Sequence, residues 1–424
     1  MKRKAAASGT GMGIGLALAG GGPLGAIYEI GALCALEEAI TGLDLNALDG
    51  YVGVSAGGFV AAGLANGITP RQLCDAFIGN AGPASDRLPP NLFFRPAWGE
   101  LLQRLAALPA QVARTGLAYA VQRRSLLGSL EHLGAVLPTG VFTQAPLQAQ
   151  LRRMFAAPGR TDDFRQLRQR LVIVATDLDS GEAAPFGLPG WDAVPISQAV
   201  AASAALPGLF PPVPIDGRWY VDGALKKTLH ARVLLDMQLG LVLCLNPLVP
   251  FLAEAGTHPP GRHRVLGGAH APIPRLVRGG LPMVLSQTFR SLIHSRLELG
   301  LQGYAHSHPG TDILLFEPDH HDPELFLANA FDYSRRRRLA EHAYQLTRAH
   351  LRIQRSTLGP LLARHGLVLA DAVLDDVQRH LLARSARDAR HSRRGSPRST
   401  RAGQALQRLD EVLTDLQRTL AARA

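Results

Sequence analysis

The chain of 424 residues has few cysteines, few lysines and few aromatic side chains. Its three cysteines, Cys34, Cys74 and Cys244, lie far apart within apolar stretches. They form no C-x-x-C pair and no metal-ligand spacing, which argues against a disulfide framework and against a cysteine-based zinc site. We therefore expect buried thiols in a reducing compartment, and predict a cytoplasmic protein that is either dissolved or peripheral on the inner face of a membrane.

The sequence also lacks a long hydrophobic run. No segment offers the ~20 uninterrupted apolar residues of a membrane-spanning helix. The apolar run from Gly13 to Ala19 follows a basic start and imitates a secretory signal. It is short, however, and its removal would discard the glycine-rich segment that follows. We predict instead a polar leader over residues 1–12 and then a first core strand.

Lysine is nearly absent although the chain is basic. It has 45 basic against 34 acidic residues and a formal charge of +11, and its only lysines are Lys2, Lys4, Lys226 and Lys227. Such a surface favours anionic partners, either lipid head groups or nucleic acid, and composition does not choose between them.

The pattern of apolar residues predicts an α/β fold. Ile14 to Ala19 is typical of a buried strand, Pro23 to Ala39 of a helix, Asp49 to Val54 of a second strand and Ala56 to Ala65 of a second helix. This alternation indicates a parallel sheet. Further strands are predicted at Leu171 to Ala175, Leu241 to Leu245 and Ile313 to Phe316, a hairpin with an Asp216-Gly217 turn at Val213 to Val221, and a helix at Arg335 to Arg352.

Composition divides the chain into a main domain and a basic tail. We assign residues 13–350 to the main domain and 351–383 to a C-terminal helical segment. Within the domain, residues 85–138 form a helical insertion, which is either a surface helix packed on the core or a lid that presents apolar residues to lipid. Residues 384–402 have the composition of a disordered basic linker. Residues 403–424 predict an amphipathic helix that suits docking on the body, on a membrane or on a second copy, so an oligomer is one expectation.

Gly53-Val54-Ser55-Ala56-Gly57 is a G-x-S-x-G sequence between a predicted strand and a predicted helix. In that context Gly53 and Gly57 allow a tight turn that holds the Ser55 hydroxyl clear of the sheet. The helix N-terminus below it favours developing negative charge. Ser55 is therefore our candidate nucleophile.

A glycine-rich run separates the first strand from its helix: Gly20, Gly21, Gly22, Pro23, Leu24 and Gly25. Its backbone N–H groups could form an oxyanion hole beside Ser55, with Gly21 or Gly22 as donors because Pro23 has no N–H. The same run satisfies the dinucleotide fingerprint G-x-G-x-x-G, with Asp44 or Asp49 as the acid that would bind a ribose. That alternative leaves Ser55 unexplained.

Asp222-Gly223-Ala224 follows an apolar strand and supplies a candidate base. A carboxylate held against a serine hydroxyl in a poorly solvated pocket can accept its proton. A general α/β-hydrolase would instead need a histidine, and His230, His258, His263 and His270 all lie in unpromising contexts. The run Asp319 to Asp322 has metal-binding residue types, but adjacent residues seldom converge on one ion. We predict no metal and no cofactor.

The glycine run, G-x-S-x-G and Asp-Gly-Ala, in this order and each at a strand end, resemble the patatin-like phospholipases. The resemblance extends to Ala175 to Gly181 and to Ala201 to Pro212. It implies a three-layer α/β/α fold with a mainly parallel sheet, a Ser55/Asp222 dyad without histidine, and Gly20 to Gly25 as the oxyanion loop. It also implies hydrolysis of acyl esters of phospholipids or related lipids, for which we expect an acyl-enzyme intermediate. As partner we expect an anionic membrane surface rather than nucleic acid.

Two positions depart from the family's pattern. Leu24 stands where the family commonly has lysine or arginine, and Leu225-Lys226-Lys227-Thr228 replaces an asparagine-rich turn. These departures leave an alternative in which the chain keeps the fold but acts as a catalytically weak or inactive lipid-binding or regulatory module.

Overall fold

The computed structural model describes residues 13–79, 139–252, 276–326 and 335–382, together with several positions between 81 and 97. The predicted leader (1–12), basic linker (384–402) and C-terminal helix (403–424) lie outside the described residues, as does most of the predicted insertion (85–138). These four assignments stay predictions, as does the boundary at residue 350.

One mainly parallel sheet forms the centre of the protein. In chain order the strands are β1 (Ile14–Leu18), β2 (Ile40–Thr41), β3 (Gly50–Val54), β4 (Arg170–Asp177), β5 (Ala183–Phe186), β6 (Val213–Ile215), β7 (Arg218–Asp222), β8 (Leu241–Leu245), β9 (Asp312–Phe316) and β10 (Val368–Leu369). The sheet has the order β6-β7-β4-β3-β1-β8-β9, with β5 also paired to β4, and β2 pairs separately with β10. Strands β4, β3, β1, β8 and β9 are parallel, whereas β5, β6 and β7 join through antiparallel pairings.

Helices cover both faces of this sheet. They are α1 (Gly22–Ala39), α2 (Ala56–Ala65), α3 (Pro70–Leu73), α4 (Ala145–Phe155), α5 (Ile196–Ser203), α6 (Arg232–Leu235), α7 (Gly280–Ser307), α8 (Pro323–Phe326), α9 (Arg336–Ile353), α10 (Arg355–Ala363) and α11 (Asp371–Asp375). Alternate strand residues point to opposite faces. Leu16 and Leu18 pack in one core with α1, α2, α5 and α9, whereas Ala17 packs in a second core with α6 and α7. The predicted α/β/α fold with a mainly parallel sheet is confirmed.

The strands and helices predicted around the sheet agree closely with those observed. Both faces of the sheet are buried, so its strands are nearly continuous apolar runs, which is what the sequence shows at β4 and β8. The predicted hairpin turn is also present, with positive φ at Asp216 and Gly217. Helix α7, the longest one described, was not predicted. None of the described helices is both long and apolar enough to cross a bilayer.

The contact between α1 and α9 depends on a glycine. A Cβ at Gly31 would lie 2.5 Å from the carbonyl oxygen of Ala340 and 3.1 Å from the Cβ of Ala343. Both helices are central to the larger core, so their backbones cannot separate without disturbing buried neighbours.

Replacing Gly31 by alanine should therefore lower the free energy of unfolding by about 1–3 kcal/mol, because overpacking outweighs the better helix propensity of alanine. The matched control is Gly300→Ala in α7, where a Cβ would meet no atom within 4 Å. That change should raise the free energy of unfolding by up to about 1 kcal/mol. Urea denaturation measures both, and a shift of the same sign and size in the two variants would contradict the packing argument.

Candidate active site

The glycine run and Ser55 lie at one edge of the sheet. The run follows β1 and Ser55 follows β3, and these two strands are adjacent and parallel, with Leu18 opposite Gly53. The carboxyl ends of parallel strands meet at the same edge, which is where α/β proteins place their sites.

Ser55 occupies a strained turn between β3 and α2. Its φ and ψ are 53° and −119°, and it is one of the described non-glycine residues with positive φ. A Cβ at Gly53 would lie 2.5 Å from the carbonyl oxygen of Gly57, and a Cβ at Gly57 would lie 2.5 Å from that of Leu18. Both positions therefore require glycine, and the predicted tight strand-to-helix turn is observed.

Ser203, at the end of α5, anchors this turn. The Ser55 N–H donates to the Ser203 hydroxyl oxygen at 2.8 Å, and that hydroxyl donates to the carbonyl oxygen of Val174 at 2.6 Å. Ser203 is fully buried. Because the Ser55 N–H is used here, an oxyanion at this site would need other donors, such as the free first-turn amides of α1 and α2.

The pairing of β4 places Asp222 next to Ser55. Val54 is opposite Val174, and Asp222 is opposite the next residue, Ala175. Because β5 occupies the other side of β4 over these same residues, β3 and β7 share one side and meet end to end. The last residue of β7 is thus beside the turn that follows β3, although 166 residues separate them in sequence.

The Asp222 carboxyl group is buried and oriented by the backbone. Its Oδ1 accepts the Ala224 N–H at 2.8 Å, and its own carbonyl oxygen accepts the Thr176 hydroxyl at 3.2 Å. Burial raises the pKa of Asp222 to about 6, against hydrogen bonds from the Ala224 N–H and the Ser55 hydroxyl that lower it. No histidine is among the groups that shift this pKa in the described part of the chain.

Small residues leave room around these two side chains. A Cβ at Gly223 would lie 2.1 Å from the carbonyl oxygen of Val174, so Asp222 must be followed by glycine. A Cβ at Gly20 would lie 3.2 Å from the Cβ atoms of both Ser55 and Ala224. The glycine run is therefore in direct contact with both of the other motifs.

Helix α1 begins within the glycine run and directs its first amides toward this edge. Gly22 is exposed with φ of 60°, and Pro23 occupies the first turn. The Gly25 N–H is already bonded to the Gly21 carbonyl oxygen at 3.0 Å. Leu24 is partly buried and packs against the larger core, an environment that suits an apolar side chain.

A model of the patatin-like phospholipases matches residues 16–235, more than half of the chain. The chain belongs to the patatin-like phospholipase family. The match spans the glycine run, Ser55 and Asp222, and the confirmed resemblance explains why these motifs meet at one edge. Patatin-like phospholipases are lipid acyl hydrolases.

Two solved structures are similar to this patatin-like chain. The crystal structure of VipD from Legionella pneumophila is 20% identical, covers 56% of this chain and 50% of that one, and has a TM-score of 0.31. A structure of full-length SpcU with full-length ExoU, from the type III secretion system of Pseudomonas aeruginosa, is 23% identical, covers 45% and 37%, and has a TM-score of 0.22. The patatin-like chain thus spans half or less of these proteins, and likeness at this level carries no weight for the site.

The other predicted residues make contacts of their own, and His230 lies beside the backbone of Gly223. Asp49 accepts the Ile14 N–H at 2.8 Å, at the opposite end of β1 from the glycine run, so it cannot bind a ribose there. Lys226 forms an ion pair with Glu182. Burial lowers the pKa of His230 to about 4, so this histidine is neutral at physiological pH.

A cavity of about 610 Å³ lies at the amino ends of β3 and β4, whereas Ser55 follows the carboxyl end of β3. It is lined by residues that include Asp49, Arg168 and Met237. None of the candidate catalytic residues lines it, so it is separate from the candidate active site.

Two buried polar residues had no predicted role: Ser203, which supports the turn at Ser55, and Glu29, next to the backbone of Ala19. Ser203 lies in a stretch that carries the family resemblance, but its contact with the Ser55 amide needs the folded chain. Glu29 is fully buried in α1, where burial raises its pKa well above the ordinary value despite the nearby Ala19 amide. An acidic residue in the apolar run of a helix was the signal that could have identified it.

The raised pKa of Asp222 predicts a pH-dependent effect on stability. The folded state holds a proton on Asp222 more tightly than the unfolded chain, so the stability it contributes is present below about pH 4 and is lost as the pH rises through about 6. Asp222→Asn abolishes this titration and keeps an acceptor for Ala224. Between pH 5 and pH 7.5 the wild type should therefore lose roughly 1–2 kcal/mol of unfolding free energy that the variant does not lose.

The control is the same substitution at the exposed turn residue Asp216. Urea unfolding at the two pH values should give no comparable change for Asp216→Asn. An equal difference at both pH values for Asp222→Asn would show that this carboxyl group does not carry a raised pKa.

Proposed function

We propose that the protein hydrolyses acyl esters of phospholipids or lysophospholipids, with Ser55 as nucleophile and Asp222 as proton acceptor. The observation that supports this most directly is the contact between the hydroxyl of a strained serine and a buried carboxyl group whose pKa is raised to about 6. Such a carboxylate is ionised at neutral pH and is a stronger base than an ordinary aspartate.

The geometry suggests the following sequence of steps. Asp222 accepts the Ser55 hydroxyl proton while Oγ attacks the acyl carbon, and the backbone N–H groups of the glycine run and of the start of α2 stabilise the oxyanion. The tetrahedral intermediate collapses to acyl-Ser55, and the leaving alcohol takes the proton from Asp222. Water, deprotonated by Asp222, then attacks the acyl group, and Asp222 returns the proton to Ser55 Oγ as the bond to the fatty acid breaks.

The alternative is a lipid-binding or regulatory module on the same fold. Leu24, which supplies no positive charge beside the glycine run, is the residue that favours it. A fluorophosphonate probe separates the two functions, since labelling of wild type but not of Ser55→Ala is expected only of a serine hydrolase.

We expect fatty acid release from mixed phospholipid and lysophospholipid vesicles to fall by more than about 10³-fold in Ser55→Ala and in Asp222→Asn. Ser356→Ala and Asp216→Asn, at exposed positions, should retain activity. The kcat/KM of wild type should rise with pH through a midpoint of about 6, because the base must be ionised. Retained activity in folded Asp222→Asn would mean that another group is the base, and an inactive wild type would favour the binding module.

The outward face of α7 is the surface that we propose contacts the membrane. Large apolar side chains are exposed along one side of this helix and of the turn before it: Val277, Leu281, Val284, Leu285, Leu292 and Leu299. At 100° per residue they lie within about one third of the helix circumference. Leu297 and Tyr304 are buried on the opposite side, so α7 is apolar on two faces.

This face lies near the candidate site. Arg296 donates to the carbonyl oxygen of Leu225 at 3.0 Å, three residues after Asp222. A lipid surface is the occupant that fits, because the proposed substrate resides in it and because the +11 charge favours anionic head groups. Each large apolar side chain that enters lipid contributes about 1.5–3 kcal/mol.

The triple variant Leu281→Ser, Leu285→Ser, Leu292→Ser should weaken binding to anionic phospholipid vesicles by at least about 10³-fold, measured by co-sedimentation. Its hydrolysis of a water-soluble short-chain ester should not change. The matched control replaces two exposed apolar residues elsewhere, Ile353 and Val377, by serine. If the control loses vesicle binding to the same extent, or the triple variant retains it, α7 is not the membrane-binding face.

A further inference from the structure

Two histidines and a glutamate converge where α7 crosses the end of β9. His294 belongs to α7, Glu317 follows β9, and His320 lies in the loop beyond it. Each offers one ligand atom, and these three atoms lie within 4.8 Å of one another. The packing of a helix against a strand end thus forms the cluster, which is why the adjacent residues Asp319 to Asp322 did not reveal it in the sequence.

His320 is held in the orientation of a metal ligand. Its Nδ1 lies 3.1 Å from the carbonyl oxygen of Pro250, which can only accept, so Nδ1 carries the proton. Its Nε2 then keeps a free lone pair, 3.7 Å from Oε1 of Glu317. Donation of the second ring N–H to a backbone carbonyl is the usual support for a metal-binding histidine.

His294 shows the same arrangement with a carboxylate. Its Nε2 lies 3.4 Å from Oε1 of Glu298, while its Nδ1 is buried without a hydrogen-bond partner among the described residues. The side chain is only 12% exposed, and its ring packs edge-on against that of His320 at 4.8 Å. A buried nitrogen without a partner is costly, and a metal ion would satisfy it.

Glu317 completes the set. The amide Nδ2 of the fully buried Asn246 donates to its Oε2 at 3.3 Å, which leaves Oε1 directed at His320. All three side chains are therefore oriented by a second group: a carbonyl, a carboxylate and an amide.

We propose that His294, Glu317 and His320 bind one divalent transition-metal ion, with Zn²⁺ as the best fit. Two imidazoles and a carboxylate are ligands that zinc prefers, and they disfavour the hard cations Mg²⁺ and Ca²⁺. Tetrahedral bonds of about 2.0–2.1 Å place ligand atoms about 3.3 Å apart. Side-chain rotations that move these atoms by roughly an ångström would therefore bring them to bonding distance of the ion. Water would fill the fourth position.

The ion would fasten α7 to the sheet next to the glycine run. Asn246, which orients Glu317, precedes Pro247, and a Cβ at Gly21 would lie 2.7 Å from Cγ of that proline. This role is structural and does not depend on the proposed hydrolysis, because the ion takes no part in the steps at Ser55.

The test is zinc competition against a chromophoric chelator, using full-length protein without a polyhistidine tag. We expect one tight Zn²⁺ per chain, at least about 10²-fold weaker binding in His294→Ala, His320→Ala and Glu317→Gln, and about 10-fold weaker binding in Glu298→Gln. Excess Mg²⁺ should not compete. Two controls should bind as wild type does: His306→Ala, which is exposed on the same helix, and the triple variant His258→Ala, His263→Ala, His270→Ala.

Several results would overturn the site. They are wild-type binding no tighter than that of His294→Ala, or a loss of binding in either control that equals the loss in the cluster variants. X-ray absorption on zinc-loaded wild type keeps the proposal testable even if a variant fails to fold. It should show two imidazoles and only nitrogen and oxygen ligands near 2.0 Å, whereas a sulfur ligand near 2.3 Å would assign the ion to a cysteine.

Discussion

The carbonyl oxygen of Val174 in β4 accepts the Ser203 hydroxyl at 2.6 Å and lies so close to Gly223 that no side chain fits between them. The same residue pairs with Val54, directly before Ser55. One peptide group thus contacts the support of Ser55 on one side and the residue after Asp222 on the other. Because β4 is central and buried on both faces, this group can move very little, and the spacing between Ser55 and Asp222 depends on it.

The site reduces stability in two ways. A non-glycine residue at positive φ costs about 1–3 kcal/mol. Burial raises the pKa of Asp222 to about 6, which means that its ionised form is destabilised in the folded protein. Both costs are concentrated in residues at one sheet edge, and the two cores on either side of the sheet offset them. Strain that survives only where the surroundings enforce it is typical of functional sites.

The sequence predicted the elements that bury apolar residues on a simple pattern. β8 and α2 have the predicted bounds, and the turn at Asp216 was recognised by its composition. The strand-to-helix turn at Ser55 could also be predicted, because it needs glycines at fixed positions. The approach of Asp222 to Ser55 could be inferred only from family resemblance, since it depends on the register of β3 and β7 along β4. Ser203 and the histidine-glutamate cluster depend on packing between distant elements and have no local signal.

Helix α7 escaped prediction for a related reason. A helix that is apolar on two opposite faces has no single hydrophobic stripe, so its sequence pattern does not indicate which side is buried. Apolar packing alone would equally permit a rotated helix.

Polar contacts on the inward side of α7 determine its rotation about the helix axis. Gln287 bonds both the N–H and the carbonyl oxygen of Phe251, and Arg290 bonds the carbonyl oxygen of Val249 while its guanidinium lies over the Phe326 ring. If the helix turned, the backbone groups of the buried Val249 and Phe251 would lose these partners, at a cost of about 1–3 kcal/mol for each group that stays buried. Specific hydrogen bonds, rather than hydrophobic burial, therefore determine which face of α7 remains exposed beside the candidate active site.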